Sequence, residues 1–355
     1  ALAAAGLGVG LFLAVAEVLL RFLPVRSAML AQPVSESAPV FRLAPNRSYV
    51  YSRGWDFDMA NAGRVNGAGY VNDAEYVRAD PRPLLAVIGD SFVEAVMVPF
   101  AETLQARLAT AFAPARRVYS FAASGAPLSQ YVVWAEHAVR EYGADSLVVV
   151  VVGNDFAESL VSFGRKPGFH QYARAPGGRL VLERNDFRPD WRRALAANSA
   201  LFRYVWLNLQ LPDLAAALRT RGHEPAYAGF VAAQAAPELV ADSLAAVEAF
   251  LVDISARTGL TPDRIAFVVD GFRYPDAARA QPGSYFATMR GALISGARAR
   301  GHVAVDMDET FFAEHAVDGR KFEFLRDGHW SGVGHAAAAA ALLRTPFAAR
   351  LTPPR

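Results

Sequence analysis

Four short stretches of this 355-residue chain carry side chains that can do covalent chemistry together. In LLAVIGDSFVEAV (84–96) an apolar, partly β-branched run halts on Gly89, and Asp90 and Ser91 follow. The others are SFAASGAPLSQ (120–130) with Gly125, the triplet Gly153-Asn154-Asp155, and FLRDGHWSGVGH (324–335) with Asp327 and His329. A serine hydroxyl is a weak nucleophile at neutral pH and needs an adjacent base. His329 can be that base, and Asp327 can fix its tautomer and stabilise the imidazolium. The tetrahedral intermediate of acyl transfer carries an oxyanion, for which the N–H groups of Ser91 and Gly125 and the amide of Asn154 offer three donors. Gly-Asp-Ser alone is equally a helix cap, so the weight falls on four loops taken together.

Those loops need a scaffold that brings them to one rim. Strand-like runs occur at 84–89, 116–121, 146–152, 264–270 and 302–307. Helical periodicity falls near 100–112, 128–142, 237–258, 284–300 and 332–345. This alternation predicts an α/β fold with a central five-stranded parallel sheet and helices on both faces. Ligands bind outside the carboxyl ends of such strands. In the order 2-1-3-4-5 the switch point lies between the first and third strands, which carry Ser91 and Asn154. The interval between the third and fourth strands is too long for a crossover, so residues 156–235, with ALFRYVWLNLQL at helical spacing, are expected to form an inserted helical cap.

The first 24 residues read as a transmembrane anchor: they hold no charge before Glu17, and the 23 before Pro24 span ~34 Å as a helix. Glu17 and Arg21 are spaced i,i+4, so they can pair and snorkel toward the headgroups. A signal peptide and a buried helix are the competing readings. Residues 25–83, rich in turn clusters such as NAGRVNGAGYVND, read as a linker and irregular or hairpin lead-in, leaving 84–355 as the main domain. A formal charge of +2 without long basic runs gives no reason to expect nucleic acid. There is no cysteine, which excludes disulfides, a thiol nucleophile and Cys-ligated metal.

At these residues the sequence resembles the SGNH (GDSL-type) hydrolase superfamily, over 84 to about 345. A weaker similarity through the anchor and NDAEYVRADPRP (72–83) points to its bacterial membrane-tethered branch. The resemblance implies a three-layer α/β/α sandwich of flavodoxin-like strand order. It implies Ser91 as nucleophile, His329 as base, Asp327 as its partner, and an oxyanion hole from Ser91, Gly125 and Asn154. It also implies ester hydrolysis or O-acetyl transfer on an envelope glycan or lipid, without metal or other cofactor, at the inner membrane with the catalytic domain extracytoplasmic. Three positions depart from the pattern. Val152 stands where the third block usually has glycine, Ser120 replaces the asparagine that often opens the second, and Arg326 stands three before His329 where aspartate is common. Asp327, two before, makes an Asp-x-His block similar to the alginate-acetyltransferase-like members. Residues i and i+2 of an extended chain project to one side, so the pair can converge; otherwise a Ser-His dyad remains.

Further residues have plainer readings. Asp90 and Asp155 are expected to brace loops, Asp270 and Asp306 to end strands in turns, and His335 to be structural. Trp330 and Arg273 are candidates for substrate contact. The alternative to an enzyme is a non-catalytic glycan-binding or envelope assembly module on the same sandwich.

Overall fold

The structure is a computed structural model that describes residues 2–210 and 229–352, so part of the aromatic-rich insertion, 211–228, lies outside the described residues. At its centre is the five-stranded parallel sheet: β3 (Leu84–Gly89), β4 (Arg117–Ala122), β5 (Ala144–Val151), β8 (Ile265–Val269) and β9 (Val303–Asp306). Their spatial order is β4-β3-β5-β8-β9, which is 2-1-3-4-5 along the chain. Ile88 pairs with Phe121 on one side and Val149 on the other, so the ends of β3, β4 and β5 fall level.

Alternation along these strands feeds two separate cores. Leu84, Ala86 and Ile88 of β3 pack on one face with α4 (Leu128–Tyr142), α8 (Pro237–Thr258) and α10 (Tyr285–Ala299). Leu85 and Val87 pack on the other with α3 (Leu104–Phe112), α11 (Met307–Asp318), α12 (Gly332–Leu343) and α13 (Pro346–Leu351). A strand covered on both faces is apolar at nearly every position, which explains why β3 reads as an unbroken run and β5 does so from Leu147 onward. The result is the three-layer α/β/α sandwich.

The lead-in 25–83 contains the hairpin its turn clusters suggested, and it packs against the core. It holds the antiparallel hairpin β1 (Arg47–Arg53) and β2 (Asp58–Val65), and Phe41, Leu43, Tyr49, Tyr51, Val65 and Tyr70 join the core beside α4. The Trp134 indole N–H donates to the Phe41 carbonyl at 3.2 Å. Ser120 keeps a structural role, accepting from Asn72 at 3.0 Å and donating to the Val71 carbonyl at 3.1 Å. The insertion is not all helical. It opens with hairpin β6 (His170–Arg174) and β7 (Leu180–Arg184), because a Pro176-Gly177-Gly178 turn separates two short strand-forming runs. Short helices α6 (Trp191–Asn198) and α7 (Ala200–Arg203) and a π-helical turn, Tyr204–Asn208, follow.

Helix α1 (Leu2–Leu20) is long and apolar enough to cross a membrane, with a mean hydropathy of 2.2 and no buried residue. Glu17 pairs with Arg21 at 2.9 Å, as the spacing predicts, and also does something the spacing does not show. Its carboxylate accepts from Ser199 Oγ at 2.8 Å and from the N–H groups of Ala200 and Leu201 at 3.0 and 2.9 Å, capping α7.

Candidate active site

Ser91 opens the one-turn helix α2 (Ser91–Glu94) directly after β3, with Asp90 as its N-cap, accepting from the Phe92 N–H at 2.9 Å. The cap leaves the Ser91 side chain above the carboxyl edge of the sheet. His329 Nε2 lies 2.8 Å from Ser91 Oγ. His329 Nδ1 bonds Asp327 Oδ1, which also accepts the His329 backbone N–H at 3.0 Å. Both residues belong to β11 (Asp327–Trp330), paired with β10 (Glu323–Phe324). An extended strand turns residues i and i+2 to one side, and the Asp-x-His spacing therefore converges.

Two residues of β1 complete this arrangement, and sequence reading missed both. Asp327 Oδ2 accepts from Arg53 Nη1 at 2.8 Å and from the Tyr51 hydroxyl at 3.2 Å. The ladder shifts register between Tyr51 and Arg53, a bulge of the kind that re-aims side chains beside a site. Nothing local in the sequence of β1 shows that Tyr51 and Arg53 meet Asp327, 276 and 274 residues away. Burial alone would raise the Asp327 carboxyl. Its bonds to His329, the imidazole's charge and the Arg53 guanidinium outweigh burial and hold it well below the usual carboxylate range.

On the other side of Ser91, Gly125 sits at φ +75°, a conformation that favours glycine. Its carbonyl accepts from Lys166 Nζ at 3.1 Å, and Lys166 pairs with Glu158 at 2.7 Å. Glu158 in turn accepts from Asn154 Nδ2 at 3.1 Å, within α5 (Asn154–Glu158). Gly125 and Asn154 are thus joined through Lys166 of the insertion, and the Asn154 amide donates to Glu158. Gly153 cannot carry a side chain here: a Cβ would lie 2.6 Å from the Gly229 carbonyl and 2.7 Å from the Phe286 ring. The displaced glycine of the third block therefore admits the chain returning from the insertion. That chain brings the Phe230 ring to 5.1 Å from the His329 ring.

A groove of about 790 Å³ opens over Ser91 and His329, lined among others by Arg26, Arg53, Met97, Ser124, Phe230 and Arg326. Beneath it lie buried acids. Burial pushes Asp90 up to about 6, against its bond from Phe92 and the nearby His329. Asp155 is raised further by burial and by Asp90, and accepts the Val152 N–H at 2.8 Å. Both brace loops. Glu94 is raised by burial despite accepting from the hydroxyl and N–H of Ser124.

Arg273 and Trp330 are not substrate contacts, since both are fully buried. Trp330 Nε1 donates to Asp270 at 2.9 Å, and Arg273 bonds Asp270 and the Gly328 carbonyl, so together they support β11 from below. Asp306 caps α11 and pairs with Arg290. His335 accepts the Leu104 N–H at 3.1 Å, and burial lowers it to about 3, a neutral structural imidazole. Arg326 lies 3.5 Å from Asp56 of the β1–β2 turn. Among the described residues no group of three His, Asp or Glu side chains is placed to hold a metal ion.

No family model and no curated protein matches the sequence. Among solved structures the fold is similar to that of TesA, at 13% identity and a TM-score of 0.39, over 76% of this chain and 99% of that one. A lipase/acylhydrolase from Enterococcus faecalis aligns at 12% identity and a TM-score of 0.40, over 77% and 99%. A two-domain esterase active on acetylated mannans aligns at 10% and 0.39, over 77% of this chain and 50% of its own. Likeness at this level assigns no activity to this chain.

Proposed function

We propose that this chain is a membrane-anchored serine esterase or O-acyltransferase that works through a covalent acyl-Ser91 intermediate. The observation that carries this reading is the continuous hydrogen-bonded path from Ser91 Oγ through both ring nitrogens of His329 to Asp327. As Ser91 Oγ attacks the acyl carbonyl carbon, His329 Nε2 takes its proton and Asp327 stabilises the imidazolium. The N–H groups of Ser91 and Gly125 receive the developing oxyanion, and the Asn154 amide joins them by turning away from Glu158. Collapse breaks the ester C–O bond, and His329 returns its proton to the departing alcohol. A second acceptor then attacks acyl-Ser91, with His329 as base. Water gives the free acid, a sugar hydroxyl gives a new ester, and either restores Ser91.

An O-acetyl ester of an envelope glycan or lipid is the substrate class favoured by the resemblance to SGNH hydrolases and by the apolar α1. The same features favour a bacterial inner-membrane location with the catalytic domain on the extracytoplasmic side. One observation favours the binding-module alternative: the Asn154 amide is engaged by Glu158. Labelling the full chain with a fluorophosphonate probe separates the two. Wild type is expected to label, and Ser91→Ala and His329→Ala to lose labelling. A folded wild type that neither labels nor hydrolyses p-nitrophenyl acetate would favour the binding module. Acetate release that is unchanged by a glycan acceptor would identify hydrolysis as the main activity.

A further inference from the structure

Five tryptophans divide sharply by exposure. Trp134 and Trp330 are fully buried, whereas Trp55, Trp191 and Trp206 are 73%, 69% and 54% exposed. The three exposed ones belong to elements bonded to one another around the foot of α1. Trp191 opens α6, whose last residue, Asn198, accepts from Arg21 at 3.3 Å. Trp206 lies in the π-helical turn after α7, the helix that Glu17 caps. The Trp55 carbonyl accepts from the Tyr204 hydroxyl of that turn at 3.1 Å. Phe22, Leu23 and Leu195 are exposed here as well.

Charge follows the same pattern. From Phe187 to Gln210 there are four arginines, at 188, 192, 193 and 203, and one acid, Asp190. Asp190 is occupied as the N-cap of α6, accepting from the Arg193 N–H at 3.1 Å. Arg188, Arg192 and Arg193 are exposed. Large aromatic rings left in water beside exposed guanidinium groups that pair with no acid among the described residues fit the boundary of a bilayer, where the rings sit at headgroup depth and the cations meet anionic phosphates. A 19-residue helix rises ~28 Å, about one hydrocarbon thickness, so its foot falls at that boundary.

We infer that the segment from α6 to Asn208, with the Trp55 turn, lies in the headgroup layer of the membrane that α1 crosses. Trp191 and Trp206 are its interfacial anchors, and Arg188, Arg192 and Arg193 its contacts with anionic lipid. The inference rests on reading α1 as membrane-spanning. It also fixes where the groove stands. Asn208 Nδ2 donates to Ser52 Oγ at 2.8 Å and the Gly54 N–H donates to the Asn208 carbonyl at 3.1 Å, which ties the seated segment to the strand that grips Asp327.

The test reconstitutes the full chain in lipid nanodiscs whose phosphatidylcholine is brominated near the carbonyl end of the acyl chain, with or without phosphatidylglycerol. Three of five tryptophans face the lipid boundary in this reading, so bromolipid is expected to remove roughly half of the emission. Trp191→Phe and Trp206→Phe each shrink the quenched fraction while retaining fluorophosphonate labelling, which reports a folded site. Phosphatidylglycerol increases quenching, and Arg192→Glu with Arg193→Glu removes the increase. Unquenched emission in discs that retain the chain through alkaline carbonate washing would overturn the seat and leave the anchor standing. Release of the chain by carbonate would overturn the anchor and the seat with it.

Discussion

On one side of Ser91 the imidazole is locked in place before any substrate arrives; on the other, the proposed oxyanion donors are held by an exchangeable ion network. His329 is fixed by Asp327, and Asp327 by Arg53, Tyr51 and the His329 N–H, all around a carboxylate that is nearly buried. Gly125 and Asn154 are tied through Lys166 and Glu158, whose side chains are each about a fifth to a quarter exposed. Hydrogen bonds to a buried charge are strong and costly to leave unmade, whereas pairs that keep part of their surface in water exchange with it at less cost. In the proposed mechanism the proton path is therefore preorganised, and the oxyanion side can adjust when the acyl group enters.

The largest effect is expected from breaking the locked side. Asp327→Asn leaves the shape in place but removes the acceptor that sets the His329 tautomer, and kcat should fall on the order of 10⁴-fold in ester hydrolysis. A fall of less than tenfold would mean that a Ser91–His329 dyad suffices. On the adjustable side, Asn154→Ala should lower kcat on the order of 10²-fold with KM little changed, as for loss of one oxyanion donor. Unchanged kcat would make the Asn154–Glu158 bond purely structural.

The smallest effect is expected one step further out. Arg53→Met removes a single charge-assisted bond to Asp327 and should lower kcat about tenfold, with fluorophosphonate labelling slowed but not abolished. It should also move acid unfolding. Asp327 is held below its unfolded value in the fold, so its bonds stabilise the protein above roughly pH 4 and that stability is lost as pH falls through the lower folded value. Without Arg53 the folded value rises toward the unfolded one, so Asp327 contributes less stability above roughly pH 4 and the acid unfolding midpoint moves to higher pH. Circular dichroism followed through an acid titration checks this, and an unmoved midpoint would mean that Tyr51 and His329 hold Asp327 without Arg53.

The legible parts of the molecule were those written in local pattern. Helices 128–142 and 237–258 end where the sequence places them because Gly143 and Gly259 take up left-handed caps, and Pro237 starts the second. Strands β3 and β8 and the distal part of β5 were visible as runs without polar interruption. The hairpin of the lead-in was legible in its turn clusters, but its attachment to the core was not, because the residues that bind it, Phe41, Tyr49 and Tyr70, are scattered among them. Arg273 and Trp330 looked like pocket residues because Trp330 adjoins His329 in sequence and Arg273 follows the carboxyl end of the fourth strand. Both turn inward, where Asp270 partners them.

Local pattern was enough to place the strands and the loops at their carboxyl edge, and four such loops taken together singled out Ser91, His329 and Asp327 as candidates. What holds them came from contacts between distant parts of the chain. Arg53 and Asp327 lie 274 residues apart, Glu17 and the helix it caps more than 180. Periodicity reports which face of an element is buried; it carries no record of which distant face that element meets.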